Sequence, residues 1–335
     1  VGLVCWLFNR DLKIAEDFIR EKFAKKPEIA EANIKVIRAG YDYGHNTHAS
    51  ASHTYKIESK VKTPGRYMDI TGNKATAYGF IAAAEKAGLK LYLGSYPITP
   101  ATDVLHELSK HKSLGVMTVQ CEDEISGCAS AVGASFAGAL AVTSTSGPGI
   151  CLKSEAMNLA VITELPLVVL DVQRGGPSTG LPTKSEQTDL LQALFGRNGE
   201  SPMPVIAAAS PTHCFDAAYD ACKIALEHMT PVVLLTDGFV ANGSGAWKLP
   251  DLANYPAINP PYVTPEMKDN YTPYKRNTET GVRYWALPGQ EGYMHILGGL
   301  EKDSDTGAIS TEPENHNLML SLIHISEPTR LALIS

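Results

Sequence analysis

The chain has 335 residues, 44% hydrophobic and 19% charged, which is enough for two domains with a large buried core. Its net charge of −7, with acidic and basic residues interspersed, excludes an extended nucleic-acid surface, so an anionic substrate would have to be met by local positive charge. No apolar run approaches the roughly 20 residues needed to cross a bilayer and no basic-then-apolar leader opens the chain, which reads as cytoplasmic.

In chain order, the apolar run Gly2–Phe8 predicts a strand, and helices are predicted over Leu12–Lys25 and Pro27–Ala39, separated by the break at Lys25-Lys26-Pro27. From Tyr41 to about Met68 the composition is polar and aperiodic. His45, His48 and His53 match no metal-ligand spacing there, and the segment reads as a solvated linker. None of the six cysteines stands in a Cys-x-x-Cys pair, so they read as buried free thiols.

From Asn73 to Thr236 short apolar strands alternate with longer helical segments. Strands are predicted at 90–94, 116–120, 139–145, 167–172, 204–208 and 232–236. Helices are predicted at 74–87, closed by Gly88, then at 101–110, 124–137, 152–164, 184–195 and 211–228. Thr99 reads as the N-cap of the second of these, with Pro100 at its first position, and Thr183 with Glu186 reads as a capping box for the helix at 184. This alternation is that of an α/β fold with a doubly wound, mostly parallel sheet. Beyond Asp237 periodicity is lost, and residues 241–320, rich in Pro, Asn, Tyr and Gly, read as an extended connector. The final segment, 321–335, is abruptly apolar, resembles a translated sequencing-adapter peptide and reads as non-native.

Open α/β sheets bind ligands outside the carboxyl ends of their strands, where three segments concentrate chemistry: Tyr96-Pro-Ile-Thr-Pro100, Cys121-Glu-Asp-Glu-Ile125 and Asp171-Val-Gln-Arg174 with the Gly/Pro-rich loop to Thr183. Glu124 opens a helix of small residues that a flat ring could approach. It is a candidate acid–base carboxylate, with Glu122 and Asp123 as competitors and plain helix-start acidity as the alternative. Arg174 can grip a carboxylate bidentately, or form a structural salt bridge with Asp171 or Glu164. Thr99 can offer its hydroxyl to a substrate, cap its helix, or do both. A second substrate carboxylate would need another cation, and Lys184, Lys153 and Arg197 are all available.

Three other patterns are weaker. Gly176-Pro-Ser-Thr-Gly180 fits the nucleophile elbow of a serine hydrolase using Ser178, but Pro177 stiffens it and the next helix starts late. Gly147-Pro-Gly149 lacks the third glycine of a dinucleotide fingerprint, and Thr236-Asp-Gly-Phe lacks the spacing of a magnesium-diphosphate loop.

Tyr96-Pro-Ile-Thr-Pro100 and Gln173-Arg174-Gly-Gly-Pro-Ser-Thr179 are specific motifs. On them the chain resembles the alpha subunits of 2-oxoacid:ferredoxin oxidoreductases, most closely the 2-oxoglutarate type, over residues 1 to about 320. The resemblance implies a remnant of a gamma-type domain at 1–45, a linker at 46–70 and a pyrimidine-binding domain of the thiamin diphosphate-binding fold at 71–240. The connector would lead toward a C-terminal domain outside this sequence, so the chain reads as a fragment of a longer subunit.

The resemblance further implies thiamin diphosphate shared with a beta subunit that carries Mg2+ and a [4Fe–4S] cluster. Coenzyme A is the acyl acceptor and ferredoxin the electron acceptor. Glu124 falls on the family's activating glutamate, which hydrogen-bonds the cofactor's aminopyrimidine. Tyr96, Pro97, Ile98 and Gly147 fall on further cofactor contacts, and Thr99 and Arg174 on the substrate-binding residues. The expected reaction is coenzyme A-dependent oxidative decarboxylation of 2-oxoglutarate. Pyruvate or another 2-oxoacid, a hydrolase built on Ser178, and a non-catalytic scaffold are the alternatives.

Overall fold

Leu167-Val-Val-Leu-Asp-Val-Gln173 is buried at every position, as a strand covered on both faces of a parallel sheet must be. The computed structural model describes residues 1–47, 54–58 and 63–324. It divides into two units, Val1–Gly65 and Arg66–Ser335. His48, His53 and residues 325–335 of the terminal segment lie outside the described residues. No helix among the described residues is long and apolar enough to cross a membrane.

The first unit is helical: α1 (Gly2–Leu7), α2 (Leu12–Lys22) and α3 (Pro27–Thr47). The strand expected at Gly2–Phe8 is therefore a helix. A short apolar run is compatible with either state, and here its backbone groups bond within the segment, Cys5 N–H to Val1 O and Phe8 N–H to Val4 O. Close packing of α1 on α3 reinforces the choice, because a Cβ at Gly44 would lie 2.6 Å from the Trp6 ring. Arg38 joins α3 to α2 by donating to both oxygens of Glu16, at 2.7 and 2.9 Å.

The second unit begins with β1 (Tyr67–Thr71), then α4 (Gly72–Ala87), β2 (Leu91–Ser95), α5 (Thr102–Leu108), β3 (Val116–Gln120), α6 (Glu124–Phe136) and β4 (Leu140–Thr145). It continues with α7 (Gly147–Ile162), β5 (Leu167–Gln173), α8 (Leu190–Phe195), β6 (Val205–Ala207), α9 (Cys214–His228) and β7 (Pro231–Asp237). Six strands form one parallel sheet in the order β3-β2-β4-β5-β7-β6. Side chains alternate across it: Val168 and Leu170 join the core under α4, α5 and α9, while Leu167 and Val169 join the core under α6 and α7.

The chain winds from β2 out to β3 and returns past β2 to β4, which makes the space between β2 and β4 a topological switch point. Their pairing ends at Leu93↔Val142, although β2 keeps pairing with β3 as far as Ser95↔Gln120. The two strand ends thus diverge, and the Ser95 hydroxyl spans the gap to Ser144 O at 3.0 Å.

Three local expectations fail here for identifiable reasons. The N-cap of α5 is Ala101, without a side-chain cap bond, so Thr99 caps nothing. The helix expected at 184–195 is reduced to α8, because Glu186 does not complete a capping box but accepts the Gly176 N–H at 2.8 Å. After β7 the chain forms α10 (Gly238–Asn242) and β8 (Ser244–Lys248), and β8 pairs antiparallel with β1, so regular structure begins within the expected linker and extends past the expected end of the domain.

The irregular stretch before the last helix, α11 (Pro313–His324), does not run free. Trp285 is fully buried in the core beside α4 and α9. Three cations of the stretch converge on the end of α7, whose last carbonyls carry the negative end of the helix dipole. Lys302 Nζ donates to Ile162 O at 2.8 Å, Arg283 Nε to Glu164 O at 3.2 Å, and Arg276 grips the Glu164 carboxylate at 2.7 and 2.5 Å. Burial pushes the Lys302 amine down to about 8.

Glu164→Gln keeps the volume of the side chain but removes the charge facing Arg276. It is expected to lower the unfolding free energy by about 1–3 kcal/mol, read as a lower urea midpoint at unchanged slope. A loss below about 0.5 kcal/mol would show that the pair contributes no more than an exposed ion pair.

Candidate active site at the carboxyl edge of the sheet

Because all six strands of the large sheet are parallel, the segments after β2, β3, β4 and β5 emerge on one edge. Glu124 is brought to the switch point by a close contact. A Cβ at Gly94 of β2 would lie 2.5 Å from Gly127 O of α6, and one at Gly127 would lie 3.2 Å from Ser95 Cα. The small residues of α6 therefore serve its approach to β2. Gly133, by contrast, has nothing within 4 Å of its Cβ position.

Of the three clustered acids, Glu122 is exposed, and Asp123 caps α6 by accepting the Ser126 N–H at 2.8 Å, which holds its carboxyl below the ordinary range. Glu124 is 7% exposed, and no donor among the described residues bonds its carboxylate. Its side chain lies beside Gly149 at the start of α7, where a Cβ would be 3.0 Å from Oε1 and would collide with Thr145 Oγ1. That cradle accepts only glycine. Ser146 Oγ, at the N-cap of α7, is also buried without a partner.

Beneath Glu124 lies a residue that the sequence presented only as one of three possible substrate cations. Lys153 is fully buried on α7 and donates to Thr143 Oγ1 at 2.8 Å and to Glu124 O at 3.2 Å, with its amine driven down by burial. It holds the first turn of α6 in place. Arg197 is similarly engaged, on the carbonyls of Ala193, Leu194 and Ser201, and burial lowers it to about 10. Lys184 is the exposed member of the three.

Arg174 leaves the end of β5 and is 6% exposed. Its Nη1 donates to Thr99 O at 2.7 Å and its Nη2 to Thr179 O at 2.9 Å, while Nε has no partner. Neither structural salt bridge considered from sequence forms: Glu164 belongs to Arg276, and Asp171 meets Asp189. The arginine thus ties the loop after β2 to the loop after β5 without neutralising its own charge on any carboxylate of the described residues. Thr99 and Tyr96 are exposed, Pro97 and Ile98 partly so, and Gly147 is buried as the first residue of α7.

The elbow around Ser178 does not form. Ser178 does take the positive φ of such a turn, +58°, but the turn is exposed and the chain passes through a further loop before α8 instead of entering a helix.

Two glycines of this site region give opposite expectations. Gly149→Ala must displace Thr145 or Glu124 and should destabilise by about 1–3 kcal/mol. Gly133→Ala meets open space in a helix and should stabilise by about 0.5–1 kcal/mol. Thermal melts of the two variants check both, and equal melting temperatures would refute the cradle.

Residues 82–295 match the family model described as "Pyruvate flavodoxin/ferredoxin oxidoreductase, thiamine diP-bdg". The chain is 56% identical over 322 residues to the 2-oxoglutarate oxidoreductase subunit KorA of Mycobacterium tuberculosis, covering 96% of this chain and 49% of that protein. It is 41% identical over 184 residues to the 2-oxoglutarate synthase subunit KorA of Archaeoglobus fulgidus, covering 55% of this chain and 52% of that one. Among solved structures, it is similar to a 2-oxoglutarate:ferredoxin oxidoreductase from Magnetococcus marinus with 2-oxoglutarate, coenzyme A and succinyl-CoA bound. That match has a TM-score of 0.85 and 33% identity, covering 99% of this chain and 56% of the other. The chain therefore spans about half the length of these relatives. With its motifs, its parallel sheet and these matches in agreement, the chain belongs to the pyruvate flavodoxin/ferredoxin oxidoreductase family of thiamine diphosphate-binding proteins.

Proposed function

We propose that this chain is the pyrimidine-binding part of the alpha subunit of a 2-oxoglutarate:ferredoxin oxidoreductase, converting 2-oxoglutarate and coenzyme A to succinyl-CoA and CO2 with reduction of ferredoxin. The observation that carries the reading is the Glu124 carboxylate, buried and without a donor at the switch-point crevice, with the uncompensated Arg174 on the same sheet edge. A largely buried carboxylate without a donor and an arginine that no carboxylate of the described residues neutralises are the groups that a polar, anionic ligand would complete.

Thiamin diphosphate, when bound, supplies the electron sink for cleavage beside a carbonyl. Glu124 accepts a hydrogen bond at its carboxylate and relays a proton there, held in register by Lys153 through its own backbone carbonyl. The Gly149 cradle, with Gly147, Tyr96, Pro97 and Ile98, would hold the cofactor. Arg174 holds the 2-oxoacid carboxylate with the N–H groups left over from its loop contacts, and the exposed Thr99 hydroxyl donates to the substrate. Lys184, on the loop that Arg174 opens, is the cation left for the second carboxylate.

The diphosphate with Mg2+, and the [4Fe–4S] cluster that passes electrons to ferredoxin, are assigned to a beta subunit. Ile125, Leu181 and Phe239, exposed on segments that follow β3, β5 and β7, support a partner covering this edge. The assembly would be a hetero-oligomer working in the cytoplasm.

The full-length alpha subunit, assembled with its beta subunit, should reduce a viologen dye with 2-oxoglutarate only when coenzyme A is present. Activity with pyruvate instead would change the substrate, and no reduction with any 2-oxoacid would overturn the reading. In that assembly Glu124→Gln is expected to lower turnover by about 10²–10⁴. Arg174→Gln should raise the KM for the oxoacid by about 10–100-fold. Wild-type turnover in Glu124→Gln would remove that residue from the role.

A further inference from the structure

Two carboxyl groups that the proposed reaction does not use lie at the base of the Arg174 loop. Asp171, three residues before Arg174 on β5, is fully buried, and neither of its carboxyl oxygens meets an N–H or O–H donor among the described residues. Asp189, at the N-cap of α8, likewise keeps Oδ2 buried without a donor. The two carboxyls meet each other. A second charge beside Asp171 is strongly disfavoured, since Asp171 is fully buried without a donor and an ionised Asp189, half-buried against it, would repel it. One proton between them removes both penalties.

The surroundings decide which group carries it. Asp171 sits inside the sheet, in register with Thr145 on one side and Leu235 on the other. Asp189 lies against the first residue of α7, where a Cβ at Gly147 would be 2.8 Å from its Oδ2, and a helix N-terminus favours negative charge. Burial raises the Asp171 carboxyl well above its ordinary range and also raises Asp189.

Charged groups on the neighbouring elements are engaged elsewhere: Lys153 of α7 with Thr143 and Glu124, Arg174 with Thr99 and Thr179. Asp237 at the end of β7 is bound by Gln187 and by the first N–H groups of α10. Glu186, on the loop itself, acts on Asp189 in the direction that retains the proton.

We propose that Asp171 donates a shared proton to Asp189, and that this pair is the clasp that holds the 174–189 loop, and Arg174 with it, in its binding position. The role in binding rests on the reading of Arg174 as the substrate clamp. Other ties close the loop at the same place, with Asp189 N–H donating to Gln173 Oε1 at 3.0 Å and Gly175 N–H to Lys184 O at 2.9 Å. Asp171 and Asp189 are positioning residues that act through these bonds. The folded pair retains a proton that the unfolded acids release, so the clasp contributes stability at low pH and loses it as pH rises through the titration of the pair.

Three measurements on the assembled enzyme test this. The infrared spectrum of wild type, with isotopically labelled aspartate, should contain the carbonyl stretch of a protonated carboxyl, lost at alkaline pH and absent in Asp171→Asn. Hydrogen-exchange protection of the Gly175 and Lys184 amides should fall by about tenfold or more over the same pH range in wild type and stay constant in Asp171→Asn, whose amide donates at every pH. The KM for 2-oxoglutarate should rise with the loss of protection in wild type, and by about tenfold at every pH in Asp171→Val.

Absence of the carboxyl band from wild type, which needs no variant, overturns the shared proton, as does an identical pH dependence of protection in wild type and Asp171→Asn. Protection that follows the prediction while KM ignores it leaves the clasp standing and sinks the substrate role of Arg174 instead.

Discussion

The separation between β2 and α6 governs the site. Gly94 and Gly127 face each other so closely that a single Cβ on the strand would come within 2.5 Å of a carbonyl of the helix. This contact sets the height at which α6 begins, and its first residue is Glu124. Were the helix displaced outward by one methyl group, the Glu124 carboxylate would leave the gap between β2 and β4, and Lys153 would lose the carbonyl that it supports. The crevice itself exists because the two strands stop pairing before they end, with Ser95 and Ser144 bridging them. An electrostatic centre is thus positioned by glycines and strand geometry.

Charge is distributed unevenly in this interior. Lys153, Arg283 and Lys302 are removed from water and Arg197 partly so, and each is answered by backbone carbonyls or hydroxyls; Arg276 has the Glu164 carboxylate. Against that background Glu124 stands out, because the fold buries it with no donor to its carboxylate among the described residues, while Arg174, held like the others on backbone carbonyls, keeps Nε without a partner at the carboxyl edge of the sheet. A protein interior tolerates such groups where a ligand completes them. The same logic separates Arg174 from Arg276: one is buried and the other partly buried, both near strand or helix ends, and only Arg276 has a carboxylate.

Much of the architecture was legible in the residues. Strands such as Leu167–Gln173 open on continuous apolar runs, and Gly88 closes α4 with φ +66°, so local composition and local conformation agreed. Where they diverged, a long-range partner intervened. Gly2–Leu7 is helical because α3 offers it a surface at helical spacing. Thr99 looked like a cap, yet its exposed hydroxyl caps nothing and its carbonyl answers Arg174, seventy-five positions away. Glu186 resembled half of a capping box and instead fastens Gly176. The stretch beyond residue 241 has no periodicity to read, since it is anchored by isolated long side chains, Arg276, Arg283 and Lys302, at a helix end.

The sequence by itself determined the alternating order of strands and helices, the motifs at 96–100 and 173–179 and, through them, the family. These are encoded in contiguous residues whose periodicity and backbone preferences act locally. Only the tertiary structure buried Glu124 while leaving Glu122 exposed and Asp123 at a helix cap, tied Lys153 and Arg197 to backbone carbonyls, and set Asp171 against Asp189. Each of those outcomes depends on which groups are stripped of water and which donors remain within reach. Burial and partnership are properties of residues brought together from distant parts of the chain, and no spacing along the chain records them.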